Sequence, residues 1–455
     1  MYGYHNFLSL EMAEVKKIKK GLDICLYGKA SDNVVSDTAS ELFAVCPDDY
    51  PGYVWKLCVQ VGDSVLKGGP LMHDKNKQQI FLCSPVSGVV TEIIRGERRK
   101  IEAVVIKSDG STHEKEFKTP QSCQDLIDLL CQSGLWAMMR QRPYDIIPDP
   151  DVRPRDIFVT TFDSAPLAPE MISSSDYGVL EEGLKALRSL TDGKVYLGVK
   201  FGSGISSSAA IVTEFVGPHP AGNVGVQIAN ISPVNKGDVV WCLDARTVCR
   251  IGRLLSDGVL DMTTTIALTG ELVDNPHMTK TSIGATIPTL IGGQLSSKAV
   301  NPRVISGNVL TGVKVSPESG FLRYPYRQIT VINEGDSADE FMGWASLNPL
   351  KYSVKRTFPA FLRGLAKPFR FDARLLGGRR AMIVSGEYDK VFPMDIYPEY
   401  LIKAILTFNI DRMEQLGIYE VAPEDFALAE FVDTSKLELQ KIVREGLERL
   451  RKELS

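Results

Sequence analysis

Residues 133–148 read SGLWAMMRQRPYDIIP. Trp136, Met139 and Tyr144 supply flat or pliable apolar surface, and Arg140 and Arg142 set fixed hydrogen-bond donors among them. That combination suits an aromatic ligand with carbonyl acceptors, of which a quinone is one. The plainer alternative puts Trp136 and the methionines in a core and the arginines in surface ion pairs. The loop CPDDYPGY at 46–53 adds Tyr50 and Tyr53 as weaker candidates.

Other chemistry-bearing segments fall short of their patterns. GVKFGSGISSSAA at 198–210 follows a strand and has amides that could hold phosphate, but Ser207 stands where a dinucleotide loop needs its third glycine. The residues after it read as a strand rather than a helix, so a plain loop is expected. No G-x-S-x-G elbow marks a nucleophilic serine. GPHPAG at 217–222 either presents His219 or is simply a stiff turn, and the turn is the safer reading. The eight cysteines form no C-x-x-C pair and the five histidines are scattered. No metal, cluster or disulfide framework is therefore expected.

The stretch VGDSVLKGGPLMHDKNKQQIFLCSPVSGVV at 61–90 resembles domains that carry biotin or lipoate on a hairpin lysine. Lys75 and Lys77 sit at the corresponding tip. Neither lies in M-K-M or D-K-A, so an unmodified scaffold is expected ahead of a carrier.

The elements that would position these residues follow from periodicity. Residues 53–61, 79–83, 88–94 and 101–107 alternate as strands between Gly, Pro and Asp turns, giving a small all-β module. Apolar spacing predicts helices over 123–139 and 177–190, and 156–161, 194–199 and 209–216 read as strands, which suggests a parallel α/β layer. Residues 263–268 and 304–310 read as strands around a short helix after Gly284, as in a β-grasp module. From 395 the chain is helical, with Pro398 opening one helix and Ser435 and Glu438 spaced as a capping box for the last. The expected domains are 15–113, 114–254, 255–345 and 346–455, and residues before Met12 read as an early start codon or a loose arm.

With 52 basic and 56 acidic residues the net charge is -4, which does not favour nucleic-acid binding. No apolar run approaches the roughly 18 residues of a membrane span. The nearest candidate, 283–293, is short and broken by Gly284, Pro288, Gly292 and Gly293.

The ordered motifs KIKKGLD at 17–23, SPVSG at 84–88, SGLW at 133–136, DGKVY at 192–196, GPHPAG at 217–222, ISGNVL at 305–310, FMGWA at 341–345 and YDKVFPMD at 388–395 complete the picture. Together they resemble the A subunits of the sodium-translocating NADH:quinone reductase family. The resemblance implies an α/β multidomain fold: a barrel-sandwich hybrid (biotinyl/lipoyl-like) β domain, a Rossmann-like α/β domain, an SLBB-like β-grasp module and C-terminal helices. It implies a peripheral subunit on the cytoplasmic side of the bacterial inner membrane, partnered by the other subunits of the complex. Those subunits would hold the flavins and iron centres, this chain would bind no cofactor, and ubiquinone or menaquinone would be substrate. The isolated chain would not oxidise NADH. The family's association with quinone binding points again to 46–53 and 139–146, although Pro47 and Pro51 depart from its usual loop. Relatives also carry C-P-G-K where this chain has Asp433-Thr434-Ser435-Lys436. A purely structural scaffold remains the competing reading.

Overall fold

The computed structural model describes residues 13–31, 34–297, 300–336, 352–353 and 367–454. The FMGWA motif at 341–345 lies outside the described residues.

Residues 42–108 form two small sheets. One runs Leu42–Val45, Ile101–Ser108, Gly88–Arg95, Ser64–Val65, and the other Trp55–Leu57, Pro70–Asp74, Phe81–Cys83. Leu71, Met72, Ile80, Val90, Val104 and Ile106 are fully buried in a core that the two sheets share. That core continues without a break into the next domain through Leu130, Trp136 and Trp241.

The α/β domain has five parallel strands in the order Glu14–Lys17, Ile211–Val216, Val195–Lys200, Asp156–Thr160 and Val240–Asp244, with Arg140–Arg142 antiparallel at the edge. Strand Asp156–Thr160 is buried at every position because helices cover both faces. Its Ile157 and Val159 pack with Leu184 and Val248, while Phe158 packs with Ile228. Helices Tyr177–Arg188 and Ala245–Asp257 meet at glycines. A Cβ on Gly252 would lie 1.9 Å from the Val179 carbonyl oxygen, and one on Gly183 would lie 2.2 Å from that of Val248. No larger residue permits that approach.

Three elements of this domain were not anticipated: helix Val224–Ile231, strand Val240–Asp244 and helix Ala245–Asp257, although the last is strongly amphipathic, capped by Asp244 and closed by a left-handed Gly258. The last runs across the expected boundary at 254. The helix expected over 123–139 ends at Ser133, because Gly134 adopts a left-handed φ of 79° and donates to the Cys131 carbonyl. Trp136–Met138 then forms a separate 3-10 turn.

A third sheet runs Val313–Val315, Pro302–Ser306, Gln328–Asn333, Thr263–Thr269, His277–Ser282, Val34–Asp37, with helix Ile287–Ile291 following the Gly284 turn. The strand expected over 304–310 stops at Ser306, where Asn308 Oδ1 accepts from the amides of Leu310 and Thr311 and turns the chain. The sequence places residues from 15 onward with the barrel. Two strands near its start pair with other sheets, Glu14–Lys17 in the α/β sheet and Val34–Asp37 in the third sheet.

Helices Pro398–Leu406, Ile410–Gln415, Ala427–Val432 and Leu439–Leu454 pack around Ile18, Ile24 and Leu26 from the start of the chain. The Ser435–Glu438 capping box does not form. Ser435 Oγ donates to the Ala381 carbonyl at 3.1 Å, and the Asp433 carboxylate takes the amides of Ser435 and Leu437 at 3.0 and 2.8 Å.

Candidate functional site

Strand Asp156–Thr160 connects through one helix to its neighbour Val195–Lys200 and lies against Val240–Asp244 on its other side. Strand order therefore reverses between 156–160 and 240–244. In open parallel sheets, ligands sit beyond the carboxyl ends of the strands at such a reversal. A cleft of about 590 Å³ lies there, lined by Thr160, Phe162, Asp163, Leu243 and Asp244 from the sheet. The barrel contributes Asp48 and Asp49, the third sheet's loop Arg323 to Gln328, and the C-terminal region Glu424, Gln440 and Arg444. All four parts of the molecule thus wall one cavity, within the usual range of small-molecule sites.

Five arginines face it: Arg140, Arg142, Arg323, Arg327 and Arg444. Most of their charge is already engaged. Arg142 is 1% exposed and its Nη1 lies 3.0 Å from Oδ2 of Asp425, also 1% exposed, while Nη2 lies 3.3 Å from Glu424 Oε1. Arg323 clamps Asp49 at 2.6 Å. Arg444 pairs with the Asp145 carboxylate and donates to the carbonyls of Tyr144 and Asp145. Arg140 donates to the carbonyls of Ala137, Met139 and Asp49. Arg327 donates to the Glu170 carbonyl at 3.0 Å, and no carboxylate pairs with it among the described residues. Burial works against its charge, opposed by Asp163 and Asp244.

Of the residues singled out in the sequence, Arg140 and Arg142 line the cavity. Trp136 and Met139 are fully buried and do not line it; Met138 does. Trp136 stands edge-on to Trp241 at 5.1 Å and donates to the Pro148 carbonyl at 2.9 Å. Tyr53 donates to that same carbonyl at 3.0 Å. Tyr50 lies behind the wall, stacked on Tyr324 at 5.3 Å, and Tyr324 in turn donates to the Met138 carbonyl. Tyr144 takes a left-handed φ of 77° and packs edge-on to Tyr419 at 6.4 Å. Five of the seven candidates therefore stiffen the wall from behind, and two face the cavity.

The residues not anticipated are Arg323, Tyr324, Tyr326, Arg327, Glu424 and Arg444. A signal existed for the middle of this set. RYPYR at 323–327 repeats the arginine, proline and tyrosine content of RQRPY at 140–144. His219 also lines the cleft; its Nδ1 is 3.0 Å from Ser164 Oγ, and burial lowers its pKa, with Asp163 and Asp23 acting in the opposite sense.

The other motifs have local explanations. In the glycine loop, Ser207 Oγ and both the amide and hydroxyl of Ser208 bind the Glu181 carboxylate, which lowers that carboxyl's pKa against the pull of burial. An internal carboxylate thus takes donors that a phosphate would want. At the barrel hairpin, Lys77 Nζ lies 2.5 Å from both Asp149 and Asp151. Among the described residues no group of three or more His, Cys, Asp or Glu is arranged for a metal, and no helix is long and apolar enough to cross a membrane.

Family profiles match three segments: the NqrA N-terminal barrel-sandwich hybrid domain at 16–109, the NqrA second alpha/beta domain at 121–260 and the NQRA C-terminal domain at 265–316. The A subunit of the Na(+)-translocating NADH-quinone reductase of Rhodopirellula baltica is 36% identical over 458 residues, covering 96% of this chain and 98% of that protein. The chain belongs to this family of A subunits. The Serratia proteamaculans member is likewise 36% identical, covering 96% and 99%. Against these relatives the fold reads as expected: barrel-sandwich hybrid, α/β domain and SLBB domain in order. A chain of an NAD+-reducing [NiFe]-hydrogenase overlaps at a TM-score of 0.33 and 12% identity, over 73% of this chain and 64% of that one. That likeness is too slight to carry an argument.

Proposed function

We propose that this chain is a peripheral subunit of a sodium-translocating NADH-quinone reductase complex and that its central cleft receives the quinone head group. The names of its relatives supply the complex and the quinone. The observation that carries the assignment to this cleft is its position and lining: about 590 Å³ at the strand reversal, walled by every domain, with arginine donors over an apolar floor of Met138, Phe162 and Leu243. Arg140, Arg142 and Arg327 are the donors assigned to the head group. Trp136, Met139, Tyr50, Tyr53 and Tyr144 serve by fixing the loops that carry them.

The scaffold alternative draws on the same geometry, since Asp425, Asp49 and Asp145 consume most of the arginine charge. Photo-crosslinking of the intact complex with an azido-quinone separates the two. Label on peptides containing 138–145 or 323–327 supports the cleft. Label confined to other subunits overturns it and leaves the scaffold role. The carrier reading is disfavoured by Lys77, whose ammonium joins the barrel to the α/β domain through two carboxylates; amide formation would discharge it.

A further inference from the structure

Three carboxylates and two guanidiniums meet at the C-terminal wall of the cleft. Asp145 belongs to Arg444 and Asp425 to Arg142. Asp425 Oδ2 also accepts the Ala422 amide at 2.8 Å, so that site is built for an anion. Glu424 is left over. Its Oε1 has only the 3.3 Å contact to Arg142, which Asp425 already neutralises. Its Oε2 has no partner among the described residues, and the side chain, 43% exposed, lines the cleft.

We propose that Glu424 is the proton donor of this site, giving a hydrogen bond to a quinone oxygen and then its proton as that oxygen is reduced. The proposal rests on the cleft being the quinone site. Reduction of a quinone to a quinol takes two electrons and two protons. The electrons come from NADH through the complex. The O–H bond of Glu424 breaks, an O–H bond forms at one quinone oxygen, and the carboxylate regains a proton from solvent. The second proton comes from solvent at the other oxygen.

Electrostatics agree with the geometry. Desolvation by the cleft wall and the charge of Asp425 raise the Glu424 carboxyl, with Arg142 opposing and Asp145 and Asp163 adding to the rise. Tyr326, from the third sheet's loop, feels the Glu424 charge, and His219 and Arg140 line other parts of the cleft. A carboxyl raised above its ordinary range holds its proton closer to neutral pH, which favours general acid catalysis.

The test is titration of the isolated full chain with ubiquinone-1 from pH 6 to 10. For wild type, the dissociation constant should rise about tenfold per pH unit once Glu424 ionises, and binding near pH 9 should take up about one proton per quinone in weak buffer. Glu424→Gln keeps an oxygen for Arg142 and should bind with no pH dependence above 7 and no proton uptake. Binding by wild type that is flat with pH and takes up no proton would overturn the role of Glu424 while leaving the cleft intact. Absence of binding by wild type at every pH would overturn the cleft itself, and this proposal with it.

Discussion

Replacing Arg142 with alanine removes a guanidinium that is 1% exposed and leaves Asp425, also 1% exposed, with a single hydrogen bond from the Ala422 amide. Its second oxygen, Oδ1, already lacks a partner. Stranding one member of a buried pair costs about 3–5 kcal/mol, because the remaining charge keeps its desolvation penalty and loses its counterion. The pair joins strand Arg140–Arg142 to the turn Pro423–Phe426, so the loss falls on the seam between the α/β domain and the C-terminal helices. At roughly 2–4 °C per kcal/mol for a unit of this size, the first thermal transition should fall by about 6–20 °C. Differential scanning calorimetry of the full chain reads the shift, and limited proteolysis should show the C-terminal helices released first. Arg142→Met combined with Asp425→Leu removes both charges and should recover at least half of the loss. A single variant that melts within about 2 °C of wild type would refute the reasoning, since stranded buried charges do not come that cheaply.

Two further outcomes follow from packing and from the hairpin. Gly252→Ala brings a methyl group against the Val179 carbonyl and should destabilise the chain by about 1–3 kcal/mol in urea unfolding, with Gly183→Ala behaving alike. Peptides containing Lys75 and Lys77 from protein purified from its native organism should have unmodified mass, and a biotinyl or lipoyl adduct on either would restore the carrier reading.

Domain order was readable because each layer has its own period: alternation in the barrel, helical spacing at 123–133 and 177–188, and the Pro398 helix near the end. Helix Ala245–Asp257 carried its signal locally, in its amphipathic spacing, the Asp244 cap and Gly258, whereas other features that failed to show were tertiary in origin. Helix Val224–Ile231 is apolar on most sides, with Ile228 packed on Phe158 of the sheet and Val226 in the C-terminal core, so it has little amphipathic signature; a Cβ on Gly225 would fall 2.4 Å from Asp425 Oδ1. The candidate segment 133–148 was legible as aromatic, methionine and arginine side chains brought together. Which way each side chain points was not, because Trp136 is turned inward by a partner on another strand, Trp241. Glu424 was invisible for a stronger reason. It matters only because Arg142, 282 positions earlier in the chain, is already taken by the residue next to it.

The first described residues have a consequence for how the molecule is made. Glu14 waits for Thr213 and Val34 for Met278, so the leading strands leave the ribosome with nothing to pair against. The barrel strands that follow them pair sooner, because their partners all lie within 42–108. Until the far halves of both sheets emerge, two leading ribbons stay unpaired, their edges open to any neighbouring chain. Truncating this leader would therefore be felt at both flanking sheets and far less in the barrel it precedes.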